Sequence, residues 1–191
     1  VWRGPMVTQA LCQISYQGGF VLIPLLLSQL YGYTTTHISL LTLGRPLMWG
    51  LAGPASAWLV RRLPRRRIVM AGVIMNSVGC LLLTLIGPGT SGIEIVLLLA
   101  FAGVGVGVIV APLMAMLTQA VGNTELGVAT ATSQMMAQIG SAAGVQLMQT
   151  IQVSRLPTDG LAGSYHTAFL VAGAVSSLAL LAAIAVPKTD N

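Results

Sequence analysis

Apolar runs of membrane length dominate the chain, and they are interrupted by Gly, Pro and charge rather than by a regular polar face. This pattern predicts six helices, over residues 6–30, 38–60, 68–88, 93–120, 127–152 and 167–187. Three of the apolar stretches exceed the roughly 18 to 20 residues needed to cross a hydrocarbon core about 30 Å thick. The polarity that remains is ordered. In the first helix Gln9, Gln13 and Gln17 recur at i, i+4 and i+8 with Tyr16 beside them, a stripe that cannot face lipid. Its amides either bridge to neighbouring helices or line a cavity. The fifth helix repeats the arrangement with Thr130, Gln134, Gln138 and Ser141, while Gly140 and Gly144 let another helix approach closely. Gln134 and Gln138 suit either interface hydrogen bonding or a gate. The fourth helix carries Gly103, Gly105 and Gly107 and then Pro112, which reads as a packing face followed by a bend. Its GxGxG is no nucleotide loop, because no strand precedes it and no phosphate-binding Lys follows. The third and sixth helices offer only Asn76 and the pair Ser176 and Ser177, which suits helices facing lipid over much of their surface.

Composition narrows the function classes. Of 191 residues 55% are hydrophobic and 7% charged, against about 25% charged in a soluble domain, so a soluble enzyme is excluded. The net charge of +5 does not indicate nucleic acid. Five of the nine basic residues, Arg61, Arg62, Arg65, Arg66 and Arg67, fall in one short run between apolar stretches, the signature of a cytoplasmic turn. That orientation puts Arg3 and Lys188, and with them both termini, on the cytoplasmic side of a bacterial inner membrane, with Arg155 outside. Cys12 and Cys80 both lie within predicted spans, too few for a disulfide framework or a metal cluster, and no cofactor is expected. A start at Val1, with no signal-peptide pattern, reads as an internal fragment.

Arg45, followed by Pro46 near the outer third of the second helix, is the most pointed single residue. A charge in hydrocarbon costs at least about 2.5–3.5 kcal/mol. It must therefore snorkel to the headgroups, or be buried or face a cavity. No carboxylate sits at mid-membrane to pair with it, since Glu94 opens the fourth helix and Glu125 lies in a loop.

Three stretches carry a family resemblance. FVLIPLLLSQLYGYTTTHISLLTLGRPL, residues 20–47, resembles a helix end, short outer loop and next helix of the fourteen-helix drug:proton antiporters of the major facilitator superfamily. GPASAWLVRRLPRRRIVMAG, residues 53–72, is similar to the basic turn between the second and third helices of one half of such a transporter. GVGVGVIVAPLMAMLTQAVGNTELGVATATSQMMAQIGSAAGVQL, residues 103–147, is similar to the glycine-rich helix and the following helix with its Gln-x-Gly pattern, here Gln138 and Gly140. The resemblance is to the C-terminal half and covers nearly the whole chain. It implies an all-α six-helix half-bundle of two inverted three-helix repeats, with one domain over residues 1–191. It also implies a partner, either a missing N-terminal six-helix half or a second copy.

By the same resemblance the first and fourth helices line a central cavity. Its wall is then Gln9, Gln13, Tyr16 and Gln17 facing Phe101, Val108, Pro112 and Met116, suited to hydrophobic or amphipathic small organic substrates. The second and fifth helices meet the other half, which makes Arg45, Gln134, Gln138, Gly140 and Gly144 gating or interface residues. The implied activity is proton-coupled multidrug efflux by alternating access, with lipid and the substrate as partners and no nucleic acid. Three positions depart from the family's pattern. Arg61 stands where the basic turn has an acidic residue, Pro64 where it has glycine, and Ala137 where many relatives have arginine. No predicted span carries a titratable carboxylate or histidine at its centre, so either the coupling groups sit in the missing half, as the resemblance implies, or the coupling is not protonic.

Two other classes compete. A non-transporting membrane scaffold fits any six-helix sequence, although the polar stripes speak against it. Gly89-Thr90-Ser91-Gly92 and His166 echo the serine and histidine of rhomboid proteases. Both lie in hydrophilic loops, however, and the glycine pattern after that histidine is missing, so no enzyme is expected.

Overall fold

The structure, a computed structural model, describes residues 3–87, 89–120 and 125–184. Its elements are α1 (Arg3–Tyr31), α2 (Thr35–Thr42), α3 (Gly44–Leu59), α4 (Arg65–Leu82) with a 3-10 turn at Leu83–Leu85, α5 (Gly92–Ala120) and α6 (Leu126–Ile184). No strand occurs among the described residues. The stretches Met6–Tyr31, Arg65–Leu85, Gly92–Gln119 and Leu126–Ala183 are long and apolar enough to cross a membrane.

The second span is divided where Pro46 lacks the N–H that Thr42 would bond. Leu43 nevertheless keeps right-handed helical angles, φ −60° and ψ −30°, and the ladder resumes with Leu47 N–H donating to the Leu43 carbonyl at 3.2 Å. Thus α2 and α3 form one interrupted rod.

A larger departure concerns residues 153–166, whose Pro and polar residues read as a loop. They are helical except at Gly160 (φ 69°, ψ −177°), a left-handed angle that glycine adopts without steric cost. The chain folds back there, because Met148 and Phe169 lie in one core, whereas a straight rod would hold them about 30 Å apart. The limbs of α6 are therefore residues 126–159 and 161–184. The turn needs only one special residue, so helix fills the rest of the predicted loop.

Packing exchanges the two three-helix units. α1 packs mainly against the limbs of α6, α5 packs between α3 and α4, and α4 also meets α6. Among the described residues three apolar cores lie along the bundle, the smallest gathering Met6, Leu117 and Ala129. Of the two larger ones, one gathers Leu22, Ile23, Leu26, Leu83, Leu99 and Phe169, and the other Cys12, Val69, Val73, Ile109, Leu113 and Ala179. Between these two, on α1, α4, α5 and the second limb of α6, lies a short interval of small or polar residues.

Candidate functional site

That interval is where the polar chemistry collects. Arg45 is fully buried, so it does not snorkel. Its Nη2 donates to the Tyr16 carbonyl at 2.9 Å, and its guanidinium stacks 4.1 Å from the Tyr16 ring centroid and 5.5 Å from that of Phe20. Nε and Nη1 find no protein partner among the described residues. One residue along α1, Ser15 accepts a hydrogen bond from Asn76 Nδ2 at 3.0 Å. Asn76 Nδ2 also donates to Ser176 at 2.8 Å, and Ser77 donates to Ser176 at 2.9 Å. Asn76 and Ser176, expected on lipid-facing helices, are fully buried. A lone amide in an apolar helix has nowhere satisfactory to go except another helix, and that was the only signal for this network.

The glycines of α5 explain how this layer closes. A Cβ at Gly107 would sit 2.6 Å from the Trp49 carbonyl oxygen of α3, and one at Gly105 would sit 2.6 Å from the Asn76 nitrogen of α4. Gly103 lies against the Arg45 backbone in the same way. Pro112 lacks the N–H that would bond the Val108 carbonyl, and Ser56 Oγ of α3 donates to that carbonyl at 2.6 Å. The buried proline therefore ties two helices together through a neighbouring hydroxyl. On α6, Gly140 and Gly144 seat α1, where a Cβ would meet the Ala10 carbonyl oxygen at 2.6 Å and Ile14 Cα at 2.7 Å, respectively.

A recess of about 50 Å³ opens between α1, α3 and α5. Gln9, Cys12 and Gln13 line it from α1, Trp49 from α3, and Val106, Ile109, Val110, Leu113 and Met114 from α5. Gln9 both bridges and lines, since its Oε1 accepts from Ser133 Oγ at 2.7 Å. The predicted α5 residues Phe101, Val108, Pro112 and Met116 are not among its walls, because the α5 face aimed at α1 is one step around the helix. Pro112 and Met116 are buried, and Phe101 is 36% exposed. Tyr16 turns its ring to Arg45 instead, and Gln17 lies outside the recess, half-buried. Gln134 and Gln138 are exposed on α6, while Arg61, Arg62 and Arg67 are exposed around the turn into α4. Trp49 was not anticipated; a tryptophan one turn after Arg45 was the available clue.

The serine considered as a nucleophile has another task. Ser91 Oγ accepts from Glu94 N–H at 3.3 Å, and Ser91 N–H donates to Glu94 Oε2 at 2.9 Å. This reciprocal pair caps the start of α5. Among the described residues no group of three or more His, Cys, Asp or Glu is placed to hold a metal.

Comparison with known proteins agrees with this architecture. The sequence matches the profile of the Major Facilitator Superfamily over residues 4–191. It is 29% identical over 154 residues to the puromycin resistance protein pur8 of Streptomyces alboniger, covering 78% of this chain and 30% of that one. Among solved structures, one described for substrate recognition in proton-dependent oligopeptide transporters superposes with a TM-score of 0.88 at 18% identity, covering 99% of this chain and 42% of that one. A transporter of the POT family in complex with 5-aminolevulinic acid superposes with a TM-score of 0.78 at 14% identity, covering 97% and 37%. The chain thus spans less than half the length of each of these proteins. The likeness to the solved structures shows the fold, and the sequence match shows the lineage: this membrane-embedded, non-enzymatic chain belongs to the Major Facilitator Superfamily of transporters.

Proposed function

We propose that the chain is one six-helix half of a proton-coupled efflux transporter for hydrophobic or amphipathic small molecules, working by alternating access with a second half or a second copy. The observation that carries this reading is the wall around the recess between α1, α3 and α5, which at about 50 Å³ is too small to enclose such a ligand by itself and needs a second half to complete it. That wall is aliphatic and aromatic, with the Gln9 and Gln13 amides and Met114 among its residues, a surface suited to varied apolar ligands through undirected contacts and one or two hydrogen bonds. The resistance named for the Streptomyces relative supports the substrate class. No described residue at the centre of a span is a carboxylate or histidine, so in this reading the protonating group belongs to the second half. Arg45 serves the cycle from within by fixing α3 against α1, and Gln134 and Gln138 contribute to the contact between halves.

The test is efflux of a fluorescent hydrophobic cation from cells making the full-length protein, with and without a protonophore. The expected result is protonophore-sensitive efflux, with the apparent KM raised about tenfold by Gln13→Ala combined with Trp49→Ala, on the scale of one or two lost contacts. Efflux that ignores the protonophore, or a KM unchanged in the double variant, refutes the coupling or the site, respectively.

A further inference from the structure

Arg45 is the one charged side chain buried among the described residues. The other described charges lie within a turn or two of a helix end or of the reversal at Gly160, where water and salt screen them. The guanidinium stays protonated at any physiological pH. Among the described residues no carboxylate pairs with it, and its Nε and Nη1 have no protein partner. Glu94, on the helix that packs against the Arg45 backbone, stands about 13 Å from Gly103 at 1.5 Å per residue and is held by Ser91.

The recess begins one helical turn from this charge on three helices. On α1 its walls are Gln9, Cys12 and Gln13, and the next turn, Tyr16 to Phe20, holds the guanidinium. On α3, Trp49 follows Arg45 by one turn, and on α5, Val106 follows Gly103, which lies against the Arg45 backbone. The rise of a helix puts the charge about 10 Å from the middle of the recess. The walls nearest to it, Trp49, Val106 and the Tyr16 ring, are apolar or aromatic, and walls of low dielectric focus a field into a cleft. Gln9 and Gln13 do not select by charge, because an amide offers both a donor and an acceptor.

We propose that Arg45 sets the charge preference of the recess, so that amphipathic ligands carrying a carboxylate or another anionic group bind there more tightly than cations of the same size and hydrophobicity. Arg45 acts on the ligand through space and does not touch it. The proposal names the charge class of the ligand and so rests on the recess wall being the ligand site. Cations are still carried, at lower affinity, since contact with the apolar wall is common to both. Over about 10 Å, at an effective dielectric between that of a protein surface and that of water, one positive charge separates a monoanion from a monocation by about tenfold in affinity.

The experiment is fluorescence anisotropy on the full-length protein in phosphatidylcholine nanodiscs. Three decyl chains with the same neutral fluorophore are titrated, ending in a carboxylate, a hydroxyl or a trimethylammonium. Groups of a second half affect wild type and variant alike, so the change between them isolates Arg45. In Arg45→Met the carboxylate is expected to bind about threefold more weakly and the ammonium about threefold more tightly, with the hydroxyl unchanged, a shift of about tenfold in the ratio of the charged probes. Arg45→Lys, which keeps the charge but not the planar fork, is expected to hold the wild-type ratio. A ratio that does not move in Arg45→Met overturns the proposal, including the case where all three probes weaken together, which marks Arg45 as structural alone. A ratio in Arg45→Lys that follows Arg45→Met overturns it as well. Should Arg45→Met not be recovered, Arg45→Gln decides by the same ratio, its amide still able to donate to the Tyr16 carbonyl. If no probe binds the wild type, the recess fails as the ligand site and this proposal falls with it, whereas binding with an unmoved ratio removes the charge preference alone.

Discussion

Arg45→Met tests the central physical claim, that Arg45 is buried with no counter-charge among the described residues. In the structure the guanidinium has one hydrogen bond, to the Tyr16 carbonyl at 2.9 Å, and two aromatic faces. A hydrogen bond from a charged group contributes about 1.5–3 kcal/mol and each of the two cation–π contacts about 1–2 kcal/mol, which places the favourable side near 4–7 kcal/mol. Against it stand an insertion cost of at least about 2.5–3.5 kcal/mol and the orphaned Nε and Nη1, at about 1–3 kcal/mol each. Methionine fills a similar length of apolar space with no charge. The balance predicts that Arg45→Met stabilises the full-length protein by about 1–3 kcal/mol, in the range found when buried charges give way to apolar residues. That is a melting temperature higher by a few degrees. Arg45→Ala should melt below Arg45→Met, because it opens a cavity worth about 2–5 kcal/mol. Thermal unfolding in detergent measures both, and efflux from cells making each variant should fall in both. An Arg45→Met protein melting several degrees below wild type refutes the reasoning, since it means a counter-charge reaches the guanidinium.

Two further outcomes follow from local geometry. Gly144→Ala should lower thermal stability by about 1–3 kcal/mol, the usual cost of overpacking, because its methyl meets the α1 backbone. Gly127→Ala, with open space around it, should be neutral or stabilising by up to about 1 kcal/mol; equal effects at the two sites would sink the packing argument. Ser91→Ala should cost about 1 kcal/mol through the lost cap of α5 and leave efflux rates unchanged, which a transport assay on the purified variant checks. Loss of transport there, at preserved stability, would give Ser91 a role beyond the cap.

Much of the fold was legible along the chain. Hydropathy is a local quantity, so the first four rods could be placed within a few residues, and of the stripe Gln9, Gln13 and Gln17 the first two line the recess while Gln17 lies outside it. Gly103, Gly105 and Gly107 were legible as packing residues, because only glycine admits a second backbone at such distances. Less legible was the end of a rod: Pro157 and the polar residues near it imitate a loop, whereas one left-handed glycine, Gly160, suffices to reverse the chain. Arg45 could be recognised as costly, but its depth and its partners on α1 could not be read from its own helix.

By itself the sequence determined the membrane class, the helical rods and the residues able to pack closely, since each depends on period, composition or side-chain size within one segment. Only the tertiary structure decided what those residues meet. Arg45 finds Tyr16 across 29 positions, Ser56 finds the carbonyl freed by Pro112 across 52, and Asn76 finds Ser176 across 100. It also selected the face of α5 that walls the recess, Val106, Val110 and Met114 rather than Phe101 and Met116. The physical reason is that one step of rotation about a uniformly apolar helix changes no local energy. Neighbouring helices alone choose which side of α5 faces inward.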